Sequence, residues 1–333
     1  MQFINSFSRL LILFMGFSLV LVWSTKWQMT QPLGAHFEVP PVAPKPFALT
    51  LIKDIDWNFL PTFTLPKAQK NLEQHPIAIK KPEPIWSIMR QQLRLNHQIG
   101  NKQVQTEIRR LLADKNNFYR ILQASGPYIY YIYNQTISQG LPAELALIPV
   151  IESEFNPYDH SVVGATGLWQ LMSRTAHELG VKIKSGYDGR RNVVASTKAA
   201  LLYFRDLGQF FKGNWYLAIA AYDCGQFKVR SLIRRMGSQN VWSLPLPRET
   251  KYYVPRLLAV AEIVKNPQKY GIKLPDIANQ PYFKFYSINH ASSLSKLAKM
   301  LSIDLKTLNR LNPDYRNQTL QKGTKILIPI HKA

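Results

Sequence analysis

The chain has 333 residues, enough for one large domain or two to three small ones, and its 46% apolar and 19% charged content excludes a disordered, collagen-like or coiled-coil polypeptide. Lys plus Arg outnumber Asp plus Glu by 42 to 20, and the net charge of +22 should draw the chain to nucleic acid, acidic lipid or another charged polymer. The single cysteine, Cys224, rules out an intramolecular disulfide or Cys-based zinc site, and the 7 histidines form no HExxH or close pair, so neither metal nor other cofactor is expected.

In chain order the first feature is Leu10 to Trp23, LLILFMGFSLVLVW, 14 residues without a charge between Arg9 and Lys26. A spanning helix needs roughly 20 residues, within reach if Phe7 and Ser8 join and Arg9 snorkels. Ser24-Thr25-Lys26-Trp27 is poor for cleavage, so residues 1–24 read as an uncleaved signal anchor, with a cleaved signal peptide as the alternative. Either reading puts the remainder outside the cytoplasm and argues against nucleic acid as the partner of the positive charge. Residues 25–84 are proline-rich, with Pro32, Pro40, Pro41, Pro44 and Pro46 close together, and read as a stiff linker.

From Ile85 the texture changes. Ile85 to Met89, Val104 to Leu112 and Phe118 to Leu122 carry apolar residues at helical spacing, and Tyr128 to Ile137 reads as another helix after Pro127. Leu141 to about Leu274 reads as all-helical. Beyond Gln280-Pro281, Phe283 to Ile288 alternates like a strand, Leu294 to Leu301 and Leu305 to Leu311 fit two helices, and Lys325 to Ile330 reads as a closing strand. The expected fold class is therefore mostly α, with a small βααβ module at 280–333.

Chemistry is most strongly suggested by Leu141 to Phe155, LPAELALIPVIESEF. On a helical wheel Leu145, Ile148, Glu152 and Phe155 fall within about 60°, so Glu152 sits on the apolar face while Glu154 points elsewhere. Desolvation would hold such a carboxyl protonated near neutrality, as a general acid requires. Taken alone, Glu152 is read more plainly as a carboxylate paired with one of the many Arg or Lys side chains. Pro149 removes one helical hydrogen bond, so a bend or restart is expected there. Asn156-Pro157 signals a turn. Ser161 to Met172, SVVGATGLWQLM, supplies glycines that let a backbone approach a ligand, then Trp169 and Gln170, an aromatic and an amide suited to sugars. Ala220 to Gly225, AAYDCG, reads as a helix ending at Gly225, and RETKYYV follows at Arg248 to Val254.

The ordered motifs ESEFNP, SVVGATGLWQLM, AAYDCG and RETKYYV resemble the catalytic domain of soluble, goose-lysozyme-like lytic transglycosylases. Tyr187 to Leu201 and Val241 to Ile263 are similar to the membrane-bound D type of that family. The likeness runs from about Trp86 to Pro275, inside a catalytic domain with a helical extension placed at 85–278. Residues 280–333 resemble a LysM peptidoglycan-binding repeat, with His290-Ala291-Ser292 at its usual Gly-Asp or Gly-Glu turn.

The resemblance implies a lysozyme-like helical domain and a lyase acting on peptidoglycan. Such an enzyme cleaves the β-1,4 bond between N-acetylmuramic acid and N-acetylglucosamine without water and leaves 1,6-anhydro ends. It implies Glu152 as general acid and then general base, with Ser161, Gln170, Met172, Tyr222, Asp223 and Tyr253 contacting substrate. Asp223 stands where the family has Asn; a carboxylate only accepts, and its charge should raise the pKa of Glu152. Phe227 follows Gly225 where the family usually has a second glycine. The expected partners are peptidoglycan glycan strands and, through the N-terminal anchor, the inner membrane. The chain is expected to be single-pass, to face the periplasm, to bind no nucleic acid and to act as a monomer. A non-catalytic peptidoglycan-binding scaffold is the alternative.

Overall fold

The computed structural model describes residues 82–315 and 319–330. The expected anchor and nearly all of the expected linker lie outside the described residues. No helix among the described residues is long and apolar enough to cross a membrane.

The first four helices, Ile85–Gln92, Lys102–Ala113, Lys115–Ala124 and Ile129–Ser138, lie where the apolar spacing predicts them. Side-chain caps start the second and third: Asn101 accepts from the Gln103 amide and Asp114 from that of Asn117. Trp86 is buried and donates its indole N–H to the Pro275 carbonyl at 2.9 Å, while the Ile85 amide donates to Ile277 at 2.8 Å. The first described helix is thus clipped to the segment that ends the helical region.

Two helices of 18 residues, Val193–Phe210 and Arg248–Lys265, both pack on the shorter Trp215–Cys224. Leu217 to Ala221 are completely enclosed there, as expected of a helix that is apolar on every face. Trp215–Cys224 ends at Gly225, with φ 88°, as its sequence predicts. Gln226–Met236 then leads toward Arg248–Lys265, which also packs against Lys102–Ala113.

Two expectations are corrected. Leu141 to Phe155 is not one helix: a 3₁₀ turn, Ala143–Leu147, gives way to a short α-helix, Ile148–Glu152, with Pro149 in its first turn. Proline has no N–H to give, so it sits where that N–H has no helical acceptor, and the helix restarts rather than bends. The region is also not wholly helical, because Ile183–Lys184 and Tyr187–Asp188 pair as an antiparallel hairpin. Strands of two residues are too short to show an alternating pattern.

The C-terminal βααβ module forms as predicted. Phe283–Ser287 pairs antiparallel with Lys325–Pro329, from Phe283 opposite Pro329 to Ser287 opposite Lys325. Helices Leu294–Leu301 and Leu305–Leu311 cover the pair around a small core that includes Ile288, Leu297, Leu308, Leu320, Ile326 and Ile328. Asn312 binds the layers together: its amide N–H groups donate to the Leu308 and Leu327 carbonyls, and its oxygen accepts from the Leu327 amide at 2.7 Å.

Candidate active site

Glu152 is the last residue of Ile148–Glu152, and the chain turns sharply after it. Glu154 and Phe155 both take left-handed conformations, with φ 52° and 57°. This is rare for residues with a Cβ, and burial of the Phe155 ring together with a bond from its amide to the Pro149 carbonyl holds it. The Ser153 hydroxyl donates to the Leu168 carbonyl at 3.0 Å, tying the end of this helix to the glycine-rich loop.

That loop is braced from behind. Gly167 has φ 82°, and a Cβ there would lie 2.2 Å from the Arg190 carbonyl, so no larger residue fits without moving backbone. Arg190 pairs with Asp188 at 2.8 Å and donates to the carbonyls of Gly164 at 2.7 Å and Leu171 at 3.2 Å. Arg191 donates to the Pro157 carbonyl at 3.3 Å. Within the loop, Ser161 Oγ accepts from the Ala165 amide and the Gln170 side-chain amide donates to the Gly167 carbonyl. Both side chains stay partly exposed, and Met172 is exposed. Trp169 does not offer its ring to a sugar: it is fully buried, with its indole N–H on Thr197 at 3.0 Å.

The other wall comes from the two central helices. Tyr253, on Arg248–Lys265, donates its hydroxyl to Glu152 Oε1 at 2.5 Å. Tyr222, on Trp215–Cys224, donates to the Trp169 carbonyl at 2.8 Å and stacks on Phe204 with ring centres 4.3 Å apart. Burial, and then the nearby Glu152, hold both phenols well above their ordinary pKa, so they remain donors. Asp223 accepts from the Thr250 hydroxyl at 2.5 Å, and burial raises its carboxyl too.

These surroundings decide the state of Glu152. Burial raises its carboxyl to about 8; the Tyr253 bond opposes the shift, and the charges of Asp223, Glu249 and Asp159 add to it. Glu152 therefore meets a phenol and like charges, not the Arg or Lys that the plainer reading gave it. A carboxyl of this pKa is protonated at neutrality and can give a proton, then take one back. Among the described residues, no group of three or more His, Cys, Asp or Glu is placed to hold a metal ion.

The structure brings Glu152, Tyr253, Tyr222 and Asp223 together, while Ser161 and Gln170 bind the backbone of their own loop. Reading the sequence missed Glu249 and Thr250 as members of the site. The signal was present: positions 249 and 250 lie four and three residues before Tyr253 on one helix, each about one turn from it. It also missed Arg190 and Arg191, whose importance lies in backbone carbonyls that no sequence pattern marks.

The transglycosylase SLT domain family matches residues 129–244, and the family described as lytic transglycosylase MltD, LysM-like domain, matches residues 283–333. The membrane-bound lytic murein transglycosylase D of Escherichia coli (strain K12) is 34% identical over 240 residues, 71% of this chain and 53% of that protein. The chain thus spans about half the length of that relative. A protein of Alteromonas sp. (strain M-1), named for tributyltin chloride resistance, is 37% identical over 158 residues, 46% of this chain and 75% of its own. Among solved structures, the soluble lytic transglycosylase SLT70 of Escherichia coli aligns with a TM-score of 0.39 at 23% identity, over 48% of this chain and 30% of that one.

Proposed function

We infer that this chain, which belongs to the transglycosylase SLT family, is a peptidoglycan lytic transglycosylase with Glu152 as its acid and base. The observation that carries the reading is Glu152 itself, raised to about 8 and held through one oxygen by Tyr253. With Oε1 occupied by the phenol, the proton of the neutral carboxyl resides on Oε2. From there it passes to the glycosidic oxygen as the bond from the muramic acid anomeric carbon to that oxygen breaks. The carboxylate then takes the proton of the muramic acid C6 hydroxyl as that oxygen bonds to the anomeric carbon. The carboxyl is restored, a 1,6-anhydro ring is formed, and no water is consumed. One carboxyl serves twice, where most glycosidases need two. Asp223, the adjacent acid, is engaged by Thr250.

Ser161, Gln170, Met172, Tyr222 and Asp223 are proposed to contact the glycan along this cleft, with Tyr253 positioning the acid. Residues 85–278 are proposed as the catalytic domain and 280–333 as a LysM-like module. The run from Leu10 to Trp23 and the name of the Escherichia coli relative support a membrane-associated protein, anchored at its N-terminus and facing the periplasm.

The test is mass spectrometry of soluble products from isolated sacculi, with wild type beside Glu152→Gln. Anhydro-muropeptides that vanish with the variant support the reading. Products with reducing ends overturn it in favour of hydrolysis, and sacculus binding without products overturns it in favour of a scaffold.

A further inference from the structure

A second concavity, of about 600 Å³, lies between the turn that follows Glu152 and helix Leu305–Leu311 of the C-terminal module. Its size is that of a ligand site. Asn156, Tyr158, Leu305, Lys306, Asn309 and Arg310 are among its walls.

Bonds on both sides hold these walls in place without a ligand. Arg310 donates to the Ala124 carbonyl at 2.8 Å with its guanidinium 5.8 Å from the centre of the Tyr128 ring, and the Tyr128 hydroxyl donates to the Arg310 carbonyl at 2.8 Å. Farther along, the Asn192 amide donates to the buried Asp314 carboxyl at 2.8 Å, the Asp188 amide donates to the Asp314 carbonyl at 3.0 Å, and the rings of Tyr187 and Tyr315 lie 5.1 Å apart. The module is docked, and the groove is preformed, which lowers the ordering cost of binding.

Its chemistry selects among occupants. Lys306 and Arg310 are one helical turn apart, and neither is in an ion pair among the described residues. Against these two cations the lining has one carboxylate, Glu154. Tyr158 and Leu305 supply exposed apolar surface, and the side-chain amides of Asn156 and Asn309 suit peptide groups. Two cations, one anion, amides and small apolar patches complement a short peptide with several carboxylates, an ammonium and methyl side chains.

We propose that this groove binds the acidic stem peptide that branches from peptidoglycan glycan. The proposal rests on peptidoglycan as the substrate. The peptide docks on the turn two residues beyond Glu152, so binding there recruits peptide-bearing strands and acts on KM rather than on the chemical step.

The experiment is isothermal titration of the full chain with the free tetrapeptide L-alanyl-γ-D-glutamyl-meso-diaminopimelyl-D-alanine. Wild type is expected to bind saturably, and more weakly as salt rises. Lys306→Glu and Tyr158→Ala change exposed side chains and are each expected to weaken binding at least tenfold, with helical circular dichroism unchanged. Absence of saturable binding overturns the proposal. Equal affinity in both variants overturns it as well, as does an N-acetylglucosamine oligomer that binds in the peptide's place and is lost with Lys306→Glu. The product assay above separates the two readings: anhydro products without peptide binding overturn this one alone, and peptide binding without products overturns the catalytic one alone.

Discussion

Two desolvated carboxyls, the half-buried Glu152 and the buried Glu262, stand in opposite protonation states for reasons that can be read from their neighbours. Burial pushes both upward. For Glu262 it is outweighed by hydrogen bonds from His97 at 3.0 Å, Tyr270 at 3.0 Å, Lys269 at 3.3 Å and Asn266 at 3.1 Å, which hold the carboxyl below its ordinary value. For Glu152 only Tyr253 opposes burial, the neighbouring charges are acidic, and the carboxyl rises to about 8. Both glutamates contact the helix Arg248–Lys265, Glu262 as a member of it and Glu152 through Tyr253. The difference lies in partners. Hydrogen-bond donors, one of them the Lys269 ammonium, gather at Glu262, while the charges acting on Glu152, the proposed acid, are negative.

The largest expected effect breaks the comparison at Glu152. Glu152→Gln should lower the rate of anhydro-product release from sacculi by about 10³-fold, within the range for a lost general acid. The same variant carries a stability signature. A carboxyl whose folded pKa exceeds its unfolded value favours folding least once it is ionised, so its burden is absent below about 4.5 and complete above about 8. The melting temperature of Glu152→Gln minus that of wild type should therefore increase from pH 5 to pH 9. A flat difference would refute the raised pKa.

Glu262 should show the reverse. Its folded pKa is lowered, so its contribution is present above its unfolded value near 4.5 and is lost as pH falls through the folded one. Removing Glu262 leaves its buried hydrogen-bond donors, His97 first among them, without an acceptor, which costs about 1–3 kcal/mol. Glu262→Leu should lose about that much in urea unfolding at pH 7, and the gap to wild type should narrow on acidification below pH 4.5.

Much of the fold was legible because helices of eight or more residues leave a periodic record. The spacing from Ile85 to Leu122, the glycine stop at Gly225 and the βααβ pattern after Gln280 all correspond to formed elements. What was lost is short or strained. The 3₁₀ turn Ala143–Leu147 has five residues, and the left-handed backbone at Glu154 and Phe155 carries no glycine to mark it. At the site, Glu152 was legible from its apolar setting, and Tyr253 from resemblance to a family. Trp169 misled because a tryptophan beside glycines suits either a sugar platform or a core, and sequence does not show which side the ring takes. The groove beside Tyr158 was not legible at all, since its walls come from segments about 150 residues apart.

Tyr253→Phe sharpens the comparison with a smaller change. It removes the one bond that opposes burial at Glu152, so the carboxyl should rise further. The alkaline limb of the pH profile of kcat should move upward. The rate should drop by about 10- to 100-fold, as an unfixed carboxyl holds its proton in fewer productive orientations. A limb that stays in place while the rate falls would assign Tyr253 to substrate contact alone.

Asp223→Asn should have the smallest effect and the opposite sign. It removes one of the like charges that raise Glu152. The alkaline limb should therefore move downward. Thr250 keeps an acceptor in the Asn side-chain oxygen, so the wall should hold its shape. The rate at neutral pH should change by less than about tenfold, since Glu152 stays protonated there and one neighbouring charge is worth little across a partly solvated cleft. The two limbs, measured on one substrate, then bracket the wild type from both sides. If Tyr253→Phe and Asp223→Asn move the limb in the same direction, the group that titrates is not Glu152.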